Sequence, residues 1–144
     1  MKYSLQIDIA LPRERMIELF DNPDNMACWQ PGLVSYEHLS GEPGQVDAKA
    51  KLVYKMGNRD IEMIETVTHR NLPDEFFGTY DAKGCWNYIE NRFSEIDENN
   101  TRWDFYTEFE LSGFMKIMGW IMPGSFKKQS FKFMKLFKEF AEKA

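Results

Sequence analysis

The last stretch of the chain constrains the fold more than any other. After Pro123-Gly124, the residues Phe126, Ser130, Phe133, Met134, Phe137, Phe140 and Ala141 recur at i, i+3, i+4, i+7 spacing. Lys127, Lys128, Lys132, Lys135 and Lys138 fall mostly on the other side. This pattern predicts one long amphipathic helix with a broad apolar stripe. Ser125 is placed to N-cap it, and lysines toward its C-terminus suit the helix dipole. Such a stripe has to be buried against another element.

The rest of the chain offers a sheet. Tyr3, Leu5, Ile7, Ile9 and Leu11 alternate with polar residues, which predicts a half-buried strand with odd positions inward. Pro12 opens a short helix over Arg13–Phe20. Asn22-Pro23 breaks it, and a second short helix runs from Asp24 towards Trp29, ended by Pro31-Gly32. From Leu33 to Leu111 breaks fall at Gly41–Gly44, Gly57–Arg59, Asn71–Pro73, Lys83-Gly84 and Asp97–Asn100. They leave six strands at roughly the 8–12-residue spacing of an antiparallel meander.

Register follows from the turns. A two-residue loop at Asn58-Arg59 sets Met56 against Ile61, Tyr54 against Met63, Leu52 against Glu65 and Ala50 against Val67, with Lys49, Lys51, Lys55 and Glu62 on the other face. In the last hairpin, pairing Phe93 with Trp103 sets Asn91 by Phe105, Ile89 by Thr107 and Asn87 by Phe109. It also puts Arg92 opposite Asp104, a favourable outer-face pair. A slip of one residue would mix the faces. The Lys83-Gly84 turn then places Tyr80 and Phe76 inward, beside Asn87 and Asn91.

Seven strands, two short helices after the first of them, and one long C-terminal helix give an α+β helix-grip fold. A curved antiparallel sheet wraps around the helix and leaves room between them. The chain is expected to form a single domain over residues 1–144. Three segments carry a family resemblance: LPRERMIELFDNPDNMACWQPGL, LPDEFFGTYDAKGCWNYIENRF and MPGSFKKQSFKFMKLFKEFAE. In order and spacing the chain resembles the START/Bet v 1-like superfamily (SRPBCC), in the polyketide cyclase/dehydrase and lipid-transport group. The resemblance implies a ligand-binding helix-grip domain. It leaves function open among hydrophobic carriers, aromatases and cyclases, hormone receptors and chaperone activators.

Composition narrows the partners. The chain has 12 Phe, 6 Tyr and 4 Trp, enough aromatic area for a core and a pocket. Its net charge of −5 argues against nucleic acid and, more weakly, against an anionic membrane surface. Phe114–Met122 is too short to span a bilayer, so no integral membrane segment is expected. Met1–Leu11 does not read as a signal peptide, which makes the cytoplasm the default location. Cys28 and Cys85 read as reduced core residues, with a disulfide between them left open. Two histidines and no HExxH or CxxC pattern give no metal set, and no phosphate loop, nucleophile elbow or other cofactor motif is present.

The candidate ligand-binding residues are Tyr54, Met63, Glu65, Tyr80, Asn87, Asn91, Phe105, Thr107, Phe109, Met118, Met122, Phe133 and Phe137. Most of the apolar ones read equally as core. Glu65, His69, Tyr80, Asn87, Asn91 and Thr107 form a polar band on the expected concave face. Unpartnered, each would cost a few kcal/mol to bury, so they satisfy one another or meet ligand and water. Glu65 and Tyr80 are the candidates for acid/base work, against a purely structural Glu65 bonded to Tyr80 or Asn91. His69 and His38 read as exposed or locally bonded. The Met-rich segment 114–122 reads as a pliable lid over the cavity entrance, a patch that docks on a partner or membrane, or ordinary packing under the helix.

Three functions follow. The first is non-catalytic binding or transport of a hydrophobic small molecule, lipid- or polyketide-like. The second is a cyclase, aromatase or dehydratase using Glu65 and Tyr80. The third is an interaction module built on segment 114–122, for which a homodimer stays open.

Overall fold

The computed structural model describes the backbone of residues 1–144 and every side chain except that of Pro123. The chain runs β1 (Lys2–Ile9), α1 (Arg13–Phe20), a 3-10 turn (Pro23–Asn25), α2 (Met26–Trp29), β2 (Leu33–Ser40), β3 (Lys49–Met56), β4 (Arg59–Asn71), β5 (Glu75–Ala82), β6 (Cys85–Asp97), β7 (Asn100–Leu111), α3 (Phe114–Ile121) and α4 (Pro123–Lys143). All strands belong to one curved antiparallel sheet of order β1-β7-β6-β5-β4-β3-β2. The meander from β2 to β7 is thus closed on one side by the N-terminal strand.

α4 lies across the inner face. Tyr3 Oη donates to the Phe126 carbonyl at 3.0 Å and lies 2.6 Å from Ser130 Oγ, tying the first turns of α4 to β1. Further along, Lys138 Nζ donates to the Asp8 carbonyl at 2.7 Å, and Glu142 accepts from the Ala10 amide at 2.9 Å.

Register agrees with the sequence reading over the last three strands. Phe93 faces Trp103, Asn91 faces Phe105, Tyr80 faces Asn87, and Phe76 faces Asn91. Arg92 does lie opposite Asp104, but its guanidinium binds Glu90 at 2.6 Å and Glu75 at 3.0 Å.

The β3–β4 hairpin departs from the expectation by two positions. Met56 pairs with Arg59, Tyr54 with Ile61, Leu52 with Met63 and Ala50 with Glu65. The turn is Gly57-Asn58, because Gly57 adopts φ 64°, which a side chain disfavours and a two-residue turn needs. A slip of two preserves facing, so Ala50, Leu52, Tyr54, Met63, Glu65 and Val67 all still point inward.

His69 does not. A bulge between Val67 and His69 inserts one residue against β5, so that His69 pairs with Phe77 and Arg70 with Phe76. His69 therefore lies on the convex face, its ring 4.7 Å from that of Phe77 and its Nε2 3.2 Å from Glu75. Arg70 takes the inward place and forks onto Asp21 at 2.6 and 3.0 Å.

Two smaller expectations also change. Ser125 does not cap α4, which begins at Pro123; its hydroxyl donates back to the Met122 carbonyl at 3.1 Å. Both cysteines are free, and Cys28 is exposed on α2 instead of packed in the core.

Candidate functional site

The space between sheet and α4 is filled unevenly. At one end Phe20, Trp29, Phe93, Trp103 and Phe137 close around one another, with Phe137 ring centroids 5.1 Å from Trp29, 5.5 Å from Trp103 and 5.9 Å from Phe20. Most contacts are edge-to-face, the favoured geometry for rings. Within this plug Asn91 is satisfied, accepting from Trp103 Nε1 at 3.0 Å and donating to the Phe76 carbonyl at 3.2 Å. Phe105 and Phe137, both candidate lining residues, belong to this packed end.

Burial then falls along α4 towards its N-terminus. Met134, Phe137 and Ala141 are fully covered, whereas Phe126, Ser130 and Phe133 are half-buried. The sheet shows the same gradient: Phe93, Trp103 and Phe105 are buried, while Asn87 and Phe109 are not. The inward residues there keep some accessible surface, with Phe109 packed on Phe126 at 5.1 Å between ring centroids.

The polar group in this region is built on four strands. Glu65 of β4 pairs across the ladder with Tyr80 of β5, and the phenols of Tyr80 and of Tyr36 from β2 neighbour its carboxylate. Burial raises the Glu65 pKa, and the two neighbouring phenols only partly offset it. Burial and the neighbouring Glu65 charge push the Tyr36 hydroxyl up to about 12 and raise Tyr80 and Tyr54 further. The three phenols therefore stay neutral, and Glu65 keeps its proton to a higher pH than a free carboxyl does. Glu65 and Tyr80 are enclosed by protein yet not fully covered.

Tyr54 Oη donates to Oε1 of Gln30, a buried residue at the end of α2. Tyr36 and Gln30 were not among the sequence candidates. β2 is irregular, with register shifts at Leu33/Ser35 and His38/Ser40, so alternation gives no facing for Tyr36. Gln30 comes from outside the sheet, beyond any strand-pairing argument.

Asn87 and Thr107 are largely bound to each other and to backbone. Asn87 Nδ2 donates to Thr107 Oγ1 at 2.6 Å and to the Glu108 carbonyl at 3.0 Å, and Thr107 Oγ1 donates to the Tyr88 carbonyl at 3.1 Å. Met63 is half-buried beside Glu65 on the inner face; on α3 and just beyond it, Met118 is half-buried and Met122 about half exposed. His38 is exposed, with Nε2 2.7 Å from the Gly41 carbonyl. Two shallow surface hollows of about 310 and 350 Å³, one edged by Ser4, Arg92 and Asp104 and one by Cys28 and Leu136, include none of Tyr36, Tyr54, Glu65 and Tyr80. Among the described residues no cluster of His, Cys, Asp and Glu could hold a metal ion. No helix there is long and apolar enough to cross a membrane.

No family model matches the sequence, and no curated protein matches it. Solved structures do match over almost the full length. A conserved protein from Geobacillus kaustophilus superposes with a TM-score of 0.82 at 19% identity, covering 99% of this chain and 96% of its own. The ZhuI aromatase/cyclase from a Streptomyces species gives 0.80 at 11% identity, covering 99% and 93%. Ara h 8.0201 gives 0.77 at 10% identity, covering 100% and 99%. The seven-stranded curved sheet, the short helices after its first strand and the long closing helix are thus those of the START/Bet v 1-like helix-grip fold.

Proposed function

We propose that this protein binds a hydrophobic small molecule with one polar end in the gap between the sheet and the N-terminal half of α4. The observation that carries this reading is the contrast along α4. One half is sealed by an aromatic plug, and the other faces inward residues that keep accessible surface. Phe109, Met63 and Phe133 supply apolar wall, as small-molecule sites require. Glu65, Tyr36 and Tyr80 supply a few convergent polar groups. The two phenols can donate hydrogen bonds to a carbonyl or hydroxyl of the ligand, and Glu65 can accept one as carboxylate or donate one as acid. Carriage without chemistry is favoured, because Asn87, Asn91 and Thr107 are already engaged by protein and, among the described residues, no Ser, Cys or His is hydrogen-bonded to the acid. Native mass spectrometry of protein purified from cells tests this. A co-purified apolar compound is expected. A chain that arrives empty and binds neither fatty acids nor polycyclic aromatics would sink the reading.

A second reading rests on the same acid. Glu65, whose pKa burial raises beside two phenols, is equipped in its acid form to protonate and polarise a carbonyl, and a fold neighbour is named as an aromatase/cyclase. Fold likeness alone does not transfer that activity. In this reading Glu65→Gln abolishes turnover of a poly-β-carbonyl substrate while leaving binding intact. In the carrier reading no turnover exists to lose.

A further inference from the structure

α3 turns its apolar side outward. Phe114 is 65% exposed, Ile117 53%, Trp120 85% and Ile121 64%. Their spacing lines them along one side of the helix. The opposite side holds the helix in place: Gly119 is buried, and a Cβ there would come within 2.4 Å of Leu111 Cδ1. The absence of a side chain at 119 lets α3 lie against the end of β7. The exposed stripe thus belongs to an anchored helix, and a row of this kind is rarely left to water.

Charge identifies what covers it. From Ser112 to Lys138 the chain carries six lysines and no acidic residue, although its net charge is −5. Lys116 lies on α3, and Lys127 and Lys128 lie exposed in the first turns of α4. The acidity that argues against an anionic surface is therefore segregated to the rest of the molecule. A second copy docked on this stripe would set lysines against lysines. An anionic bilayer would accept both the lysines and the apolar row, and the headgroup region is where an exposed tryptophan partitions. We infer that α3 docks this protein on membranes bearing anionic headgroups, with Phe114, Ile117, Trp120 and Ile121 entering the interface and Lys116, Lys127 and Lys128 meeting the headgroups. This docking does not depend on what the gap holds.

Co-sedimentation of the full chain with two kinds of vesicle tests the inference, one of phosphatidylcholine alone and one containing about a third phosphatidylglycerol. The chain is expected to pellet with the mixed vesicles at low salt and hardly at all with phosphatidylcholine. Trp120→Ala should weaken binding about tenfold or more through lost apolar area. The double change Lys127→Glu/Lys128→Glu should weaken it about twentyfold or more through lost headgroup attraction. Both variants alter exposed positions and should keep the circular dichroism of the parent. Equal binding to both vesicles overturns the inference, as does a Trp120→Ala variant that pellets like the parent. A Trp120-dependent dimer in light scattering, without vesicle binding, overturns it in favour of self-association.

Discussion

The division of the inner surface into a sealed end and an open end makes an unequal forecast for two phenylalanines one helical turn apart. Phe137 has no exposed surface and meets four rings, those of Phe20, Trp29, Trp103 and Phe140. Truncating a buried Phe to Ala costs about 3–5 kcal/mol. The ring contacts, each about 0.5–1.5 kcal/mol beyond area, set Phe137→Ala near the top of that range, at about 4–5 kcal/mol. Unfolding entropy for a chain of 144 residues converts this into a drop in Tm of roughly 13–17 °C. Phe133 is half-buried, so Phe133→Ala loses part of the transfer term and leaves little new void, costing about 1–2 kcal/mol. Urea unfolding measures both, with Phe137→Leu as a milder substitute if the alanine variant does not fold. An apolar fluorescent probe supplies the second readout: Phe133→Ala should change its affinity, whereas the surviving fold of the Phe137 variant should bind it as the parent does. Equal stability losses at the two positions would refute the half-open interior, as would a Phe137→Ala cost below about 2 kcal/mol.

Glu65 makes the stability depend on pH. Its folded pKa lies above the ordinary 4.5, so as pH rises past that value the unfolded chain releases a proton that the fold retains. Stability then falls with rising pH up to the folded pKa and stays lower beyond it. Glu65→Gln does not titrate, so its melting temperature relative to the parent should climb between pH 4.5 and neutrality; a constant difference refutes the assignment. Asn91→Ala strands Trp103 Nε1 and the Phe76 carbonyl and should cost about 2–4 kcal/mol by chemical denaturation. Trp29→Phe should lie within about 1 kcal/mol of the parent, because the buried Trp29 Nε1 has no partner to lose. Arg70→Ala breaks the fork to Asp21 and the 2.9 Å bond to the Gly44 carbonyl; a loss of about 1–2 kcal/mol that shrinks at high salt is expected in melts.

The parts of this fold legible in the sequence were those where two signals agreed. β5, β6 and β7 were read in correct register because Lys83-Gly84 fixes one turn and only one parity keeps Phe93, Trp103 and Phe105 together. At β3–β4 a single signal was available, and three adjacent turn-forming residues, Gly57, Asn58 and Arg59, left the loop position ambiguous. The facing survived because the error was even. The bulge after Val67 was silent: Thr68, His69 and Arg70 are all polar, so nothing in the alternation marks an added residue. The candidate acid was readable for the same reason that His69 was not, since Glu65 precedes the bulge. Its partner Tyr36 sits on a strand whose own irregularities erase the period.

The pairing of β1 with β7 has a consequence for how the molecule comes into being. Ribosomes deliver β1 first, but its ladder partners lie about a hundred positions later, and Tyr3 finds Ser130 at a separation of 127. The strands from β2 to β7 can zip by neighbouring hairpins while the first strand waits with its apolar edge, Leu5, Ile7 and Ile9, uncovered. Closing so long a loop is entropically costly and slow. The chain is therefore most vulnerable to aggregation through β1 during synthesis, and a chaperone that holds that strand until β7 emerges would raise the yield of folded protein without altering its final stability.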